Sequence, residues 1–196
     1  MPTRLPEPTI AGAMVYLRPP HLRDAPAFIA ASRASRPLHG QWTHAPDTAV
    51  RFAVFAKRYA PRVQPATHAG FLVFRRDGDA LAGVFSFSEI VRGAFQSAYL
   101  GYYAFLSQAG HGYMTEGMAL ALDIAFKRLQ LHRVEVNVQP TNERSLALVK
   151  RVGFTREGYS RRYVKIAGRW RDHVRFAMLA EDWRALRREF VGRSSR

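Results

Sequence analysis

Hydrophobic positions along the chain recur with a period of two in some stretches and of three to four in others, and the switches between the periods mark the elements. Arg133 to Val138 alternates strictly, with Val134, Val136 and Val138 on one side and Arg133, Glu135 and Asn137 on the other, which is a half-buried strand. Upstream, Met114, Met118, Ala121, Leu122, Ala125, Phe126 and Leu129 recur at spacings of three and four and predict one long helix with a single apolar face. Ala69 to Arg75 and Leu81 to Phe87 are β-rich runs around an Asp77-Gly78 turn pair, a hairpin signature. The aromatic-rich run Gln96 to Phe105 reads as a further strand.

Nearer the N-terminus, Ala13 to Arg18 reads as a strand ended by Pro19-Pro20. Asp24 is placed to cap a helix that accepts Pro26 in its first turn and buries Phe28 and Ile29. A second helix follows Asp47, with Val50, Val54 and Phe55 as its apolar contributors. Late in the chain, Asn142 opens a helix whose apolar positions are Leu146, Val149 and Val152, closed by Gly153. Arg161 to Ile166 and Val174 to Leu179 read as two strands joined at Gly168-Arg169-Trp170. The order is strand, two helices, hairpin, strand, helix, strand, helix and two strands, and a mixed α/β sheet follows from it.

At 196 residues this is the size of one compact domain with a sizeable core, placed at 13–184 between an N-terminal extension (1–12) and a basic C-terminal tail (185–196). The proline-spaced start, the Pro61 to Pro65 region and Gly192 to Arg196 are its only linker-like stretches. The chain has no cysteine, which excludes disulfides, thiolate metal sites and a cysteine acyl-enzyme. The N-terminus lacks the apolar stretch of a secretory signal, and the longest apolar run, Met118 to Phe126, is broken by Asp123. A cytoplasmic location is the default reading.

The charge changes the picture more than the composition does. Lys and Arg number 30 against 15 Asp and Glu, a net +15; from Lys150 onward there are 14 basic residues against 5 acidic, and before it 16 against 10. Such a field favours encounter with RNA, ribosomal surfaces, phosphorylated cofactors or anionic membranes, or it marks a solvated arginine-rich surface.

The stretch that carries chemistry lies between the aromatic strand and the long helix: Gln108-Ala109-Gly110-His111-Gly112-Tyr113-Met114. Glycines let several N–H groups converge there, and a helix N-terminus adds partial positive charge, so the loop is a candidate pyrophosphate site. Two close glycines also occur before helices for steric reasons. No Gly-Lys-Ser/Thr follows, and the third glycine of a dinucleotide fingerprint is missing.

Tyr99-Leu100-Gly101-Tyr102, Gly110-His111-Gly112-Tyr113-Met114-Thr115-Glu116, Asn142-Glu143-Arg144-Ser145, Gly153-Phe154 and Glu157-Gly158-Tyr159 together resemble the GNAT superfamily of N-acetyltransferases, in its RimJ/RimL branch. Phe85-Ser86-Phe87, Val91-Arg92-Gly93 and Trp170-Arg171-Asp172-His173-Val174 are similar to the RimJ type of alanine N-acetyltransferase. The likeness runs from about Leu81 to Trp183. Two positions depart from the family loop: Ala109 stands where Gln or Arg is usual, and Met114 where Gly or Ala is usual.

The resemblance implies a single domain with a mixed, mostly antiparallel sheet of about seven strands flanked by about four helices, and acetyl-CoA as cosubstrate. It implies direct attack of a neutral amine on the thioester, without a covalent enzyme species. The acceptor is then the N-terminal α-amine of a protein, in this branch alanine or serine of a ribosomal protein. Cofactor-binding positions carried over are Tyr102, Gln108 to Met114, Asn142 and Ser145. An oxyanion donor is expected near Tyr102 and Tyr103, which are equally read as core tyrosines, and Ser145 is expected to protonate the leaving thiolate. Asn142 and Ser145 also fit plain helix capping.

An α-amine with a pKa of about 8 must lose a proton before attack. Glu89 is the carboxylate best placed in sequence to take it and to touch the acceptor. Glu116 fits a helix-dipole role instead, and Asn137 is a candidate holder of a catalytic water. Trp42 is a candidate acceptor-cleft aromatic or a packed core residue. His39, His44 and His173 lack metal-ligand spacing, so no metal is inferred. The basic C-terminal third brings ribosome or RNA proximity into view. Two other readings stand beside the leading one: the same chemistry on a small amine, and a non-catalytic ribosome- or RNA-binding module.

Overall fold

The structure, a computed structural model, describes residues 7, 9–40, 42–60 and 67–193, with side chains to 187. Eight strands form one sheet: β1 (Ile10–Ala11), β2 (Val15–Arg18), β3 (Ala69–Arg75), β4 (Leu81–Val91), β5 (Ser97–Ala104), β6 (Arg133–Val138), β7 (Thr155–Ile166) and β8 (Arg169–Leu179). They lie in the order β1-β2-β3-β4-β5-β6-β8-β7. Every neighbouring pair is antiparallel except β5 and β6, which run parallel. The helices are α1 (Ala25–Ala34), the single turn α2 (Arg36–His39), α3 (Ala49–Tyr59), α4 (Tyr113–Asp123), α5 (Glu143–Val152) and α6 (Ala180–Arg193). Among the described residues, no helix is long and apolar enough to cross a membrane.

The sheet is an α/β layer between two cores. On one face α4, α5 and α6 bury Met118, Leu122, Val149 and Trp183 against Val134, Val136, Val138, Phe176 and Met178. On the other, α1 and α3 bury Phe28, Phe52 and Ala56 over Leu72, Phe74, Val84 and Phe105. The second layer covers only the β3–β5 half of its face, where Leu72, Phe74 and Val84 take part in the core. Arg133, Glu135 and Asn137 on β6 remain half-buried on that side.

Several expectations are corrected in detail. The sheet has eight strands, and Ile10–Ala11, inside the stretch read as an extension, pairs with Leu17 and Tyr16. On α3 the buried residues are Phe52 and Ala56, while Val50 and Val54 are 75% and 64% exposed. Both i,i+4 pairs satisfy a helical period, and the Phe28 ring, 4.7 Å from Phe52, decides between them. Asp24 precedes α1 without capping it by its side chain. Its carboxylate instead accepts from Arg18 (2.7 and 2.9 Å) and from the His21 N–H (2.8 Å), inside a tight turn at Leu22–Asp24. α2, four residues with Pro37 in its first turn, is too short to show a period.

The long apolar helix also changes character. α4 ends at Asp123, and Ile124–Arg128 winds wider as a π turn, with the Leu129 N–H donating to the Ile124 carbonyl. Asp123, which breaks the apolar run, is 4% exposed and accepts from Trp183 Nε1 (2.9 Å) and Arg187 Nε (2.7 Å), so it anchors α6. α6 thereby runs into the stretch read as a tail. β7 and β8 are longer than expected because their added residues, mostly polar and exposed apart from the buried His173, carry no apolar alternation. The Pro61 to Pro65 region and Gln41 lie outside the described residues.

Candidate active site

The site begins where the parallel ladder stops. Ser97, Ala98 and Tyr99 pair with Arg133, Val134 and Glu135, and beyond them β5 and β6 splay apart. The Phe105 N–H donates to the Ala82 carbonyl of the β4 ladder (2.9 Å). By alternation Tyr103 and Gly101 also face β4, whereas the backbone groups of Leu100, Tyr102 and Ala104 face the gap. The Ala104 carbonyl is taken by His39 Nε2–H at 2.9 Å. Burial holds the His39 pKa below the ordinary value, against a smaller opposing effect of that carbonyl, so the ring is a neutral donor. The Tyr102 N–H is left pointing between the strands.

The loop that follows is a second source of free donors. Gly110 and Gly112 both adopt left-handed conformations (φ 88° and 83°), which an L side chain resists. The Gln108 and Ala109 N–H groups close a turn onto Phe105 and Leu106. The N–H groups of Gly110, His111, Gly112, Tyr113 and Met114 have no acceptor among the described residues. Tyr113 stacks on His111 (5.6 Å), and the Arg75 guanidinium lies 5.4 Å from the Tyr113 ring while also donating to Gln108 Oε1. Arg151 reaches Thr115 Oγ1 at 3.4 Å. Five converging donors at a helix N-terminus between two arginines form an anion cradle.

The sequence matches the Acetyltransferase (GNAT) domain family over residues 15–155. The chain belongs to the GNAT acetyltransferase family. It is 34% identical to the probable N-acetyltransferase YjcK of Bacillus subtilis over 88% of this chain and 98% of the relative. It is 40% identical to the [ribosomal protein uS5]-alanine N-acetyltransferase of Escherichia coli over 58% of each chain. Among solved structures it superposes on Mycobacterium smegmatis RimJ in complex with CoA-disulfide with a TM-score of 0.78 and 31% identity, covering 86% of this chain and 83% of that one.

GNAT acetyltransferases use acetyl-CoA, and the residues here fit it. The free N–H groups of 110–114 match a pyrophosphate, and the unpaired edges of β5 and β6 match the amides of a pantetheine arm. Met114, at a loop position that is usually small, is accommodated because its sulfur fills the space over Gly83, where any Cβ would collide with it. Ala109 supplies no long side chain, and Gln108 is held by Arg75 instead.

At the open end of the splay, Tyr102 Oη and Ser145 Oγ are 2.6 Å apart. Burial pushes the Tyr102 phenol well above its usual pKa, with the Ser145 bond acting weakly the other way, so it stays protonated. Asn142 Oδ1 accepts the Ser145 N–H (3.2 Å), so Asn142 caps α5 and fixes Ser145 at once. On the opposite face of the sheet, Tyr103 Oη and Asn137 Oδ1 are buried without a hydrogen-bond partner. Burial also raises the Tyr103 pKa. Buried orphan polar atoms are costly, and they cluster where a ligand completes them. Gly70, Ser86 and Gly101 stand in one cross-strand row on that face; the Tyr59 ring covers Gly70, and the exposed Gly101 leaves a short trough on the side of β6.

Not every expected residue joins this group. Glu89 sits exposed on a bulge of β4 with φ 48°, four positions beyond Phe85, the partner of Tyr102. That is about 13 Å along the strand from the level of Tyr102, while the neighbouring Ser88 stands opposite Tyr99, where the β5–β6 ladder ends. Trp42 is half-buried after α2, its N–H donating to the His39 carbonyl (2.8 Å). Glu116 does more than sit at a helix start: it accepts the N–H groups of Ala13, Met14 and Val15 at 2.5, 2.8 and 3.0 Å. His39 and Gly83 were not legible as site residues, since a lone histidine and a strand glycine carry no local signal.

Proposed function

We propose that this acetyltransferase modifies the N-terminal α-amine of a protein, with a ribosomal protein beginning in alanine or serine as its acceptor in the cytoplasm. The observation that carries this reading is the two-sided splay. Tyr102 and Ser145 lie on one side of the thioester position, and an open trough floored by Gly101 leads to the unpartnered Asn137 on the other. The uS5-alanine activity of the E. coli relative and the likeness to RimJ point the same way.

In this mechanism the amine comes along the trough and Asn137 Oδ1 accepts one of its N–H bonds, with the departing proton passing through a held water to solvent. The amine nitrogen forms the new bond to the acetyl carbon, and the carbonyl oxygen, as it gains charge, is met by the Tyr102 N–H. When the carbon–sulfur bond breaks, Ser145 Oγ–H gives its proton to the thiolate and regains one from solvent, which has taken the amine's proton, while Tyr102 stays protonated and holds Ser145 Oγ through its own O–H.

The test is intact-mass and N-terminal peptide analysis of stripped ribosomal proteins incubated with acetyl-CoA, with a Gly112→Arg control that blocks the loop. A gain of one acetyl group on a single N-terminus, lost in the control, supports the reading. No gain, with acetyl-CoA still bound, refutes it in favour of a small-amine acceptor.

A further inference from the structure

The β7–β8 hairpin touches the start of the splay through Tyr163, whose Oη donates to Tyr99 Oη (3.3 Å), and its exposed cations lie to either side of that contact in the sequence. Its two strands are 12 and 11 residues long and meet at a tight Ala167-Gly168 turn with φ 49° and 79°. Arg156, Arg161, Arg162, Lys165 and Arg169 are exposed along it. The hairpin's two acids are both engaged, one within the hairpin and one by β6. Asp172 accepts from Tyr159 Oη (2.5 Å) and the Arg162 N–H (2.7 Å), which with nearby Arg161 and Arg162 holds its carboxyl below the usual range. Glu157 is paired with Arg133. Among the described residues, Arg161, Arg162, Lys165 and Arg169 therefore have no ion-pair partner. Trp170, directly across from Lys165, is 60% exposed.

We propose that this hairpin is a docking surface for single-stranded RNA, with its four unpaired cations tracking phosphates and Trp170 stacking on a base. The cations cover about 17 Å of strand, enough for a few nucleotides. Planar aromatics among arginines suit unstacked bases, which a protein partner does not offer. A second copy adding a strand is disfavoured by the edge itself. β7 carries register shifts at Arg156/Gly158 and Ser160/Val164, and Arg162 has φ 47°, so bulges and charge interrupt the hydrogen-bonding edge. The proposal is independent of which amine is acetylated.

The test is fluorescence anisotropy with a labelled 20-nucleotide single-stranded RNA of mixed sequence, titrated from 50 to 300 mM KCl. Replacing Arg161, Arg162, Lys165 and Arg169 by Gln should reduce the slope of log K against log salt by roughly 3, four cations at about 0.7 to 0.9 each. Replacing Trp170 by Ala should weaken binding roughly tenfold with the slope unchanged. A control with Arg23, Lys57, Arg128 and Arg184 changed to Gln, all exposed elsewhere, should leave most of the slope intact. All variants should keep the wild-type melting temperature and acetyl-CoA affinity. An unchanged slope in the hairpin variant, or an equal loss in the control, overturns the proposal. So does equal affinity for duplex DNA with a silent Trp170→Ala, which indicates a generic polyanion. A change of oligomeric mass in the hairpin variant would reassign the surface to self-association.

Discussion

Replacing Glu116 by Gln tests whether the N-terminal hairpin is clipped to the cofactor loop by charge. The carboxylate accepts three backbone N–H groups from 13–15, two of them open to water. An amide keeps one oxygen for Met14 and Val15 but turns an NH2 group towards the Ala13 N–H. Hydrogen bonds to charged groups contribute about 1.5–3 kcal/mol each, and water offsets part of the exposed ones, so a net loss of about 2 kcal/mol is expected. For a chain of this size that lowers the melting temperature by about 4–8 °C, read by calorimetry without ligand. A Cβ at Gly12 would overlap Glu116 Oε1. Gly12→Ala should therefore destabilise the wild type and cost little in a Glu116→Ala background. A Glu116→Gln melting point within about 1 °C of wild type, or a Gly12→Ala cost that is the same in both backgrounds, would refute this account.

Asp24→Asn leaves Arg18 buried without its counter-charge and removes the acceptor of the His21 N–H; a loss of about 3–5 kcal/mol should appear in thermal melts. Burial holds His39 and His173 below the ordinary histidine pKa, outweighing the carbonyls of Ala104 and Arg171 and nearby Asp172. The unfolded chain then binds protons first, so stability falls as pH drops below about 6.5, by at most about 1.4 kcal/mol per pH unit per histidine. Urea midpoints at pH 7.5, 6.5 and 5.5 read this, and His39→Gln should flatten the curve. Gly101→Val should lower kcat/KM for a peptide acceptor about 100-fold by displacing it in the trough, with acetyl-CoA affinity unchanged in calorimetric titration.

What was legible in the sequence was local. The alternation of Arg133 to Val138 coincides with β6, and the Asp77-Gly78 pair marks the β3–β4 turn, because each signal is complete within a few residues. The glycine loop was legible because its chemistry is carried by consecutive backbone groups. The α3 face was not, since two residue sets fit one period and a ring on α1 chooses. The roles of Glu116 and Met114 were hidden for another reason: their partners are Ala13 to Val15 and Gly83, far away in the chain. The place of Glu89, one residue from the partner of Tyr99 and four from that of Tyr102, follows from strand register, which nothing near Glu89 encodes.

The short β5–β6 ladder makes the two halves of the sheet share only three backbone pairings. A cosubstrate seated between them acts as a borrowed strand, and the stability of the whole domain then depends on how much of it the surroundings supply. At a free concentration 100 times the dissociation constant, such binding adds about 2.7 kcal/mol. With the cosubstrate held as proposed, the anion cradle and strand edges contact the CoA portion, which the reaction leaves intact, so spent CoA is expected to raise the melting temperature as acetyl-CoA does.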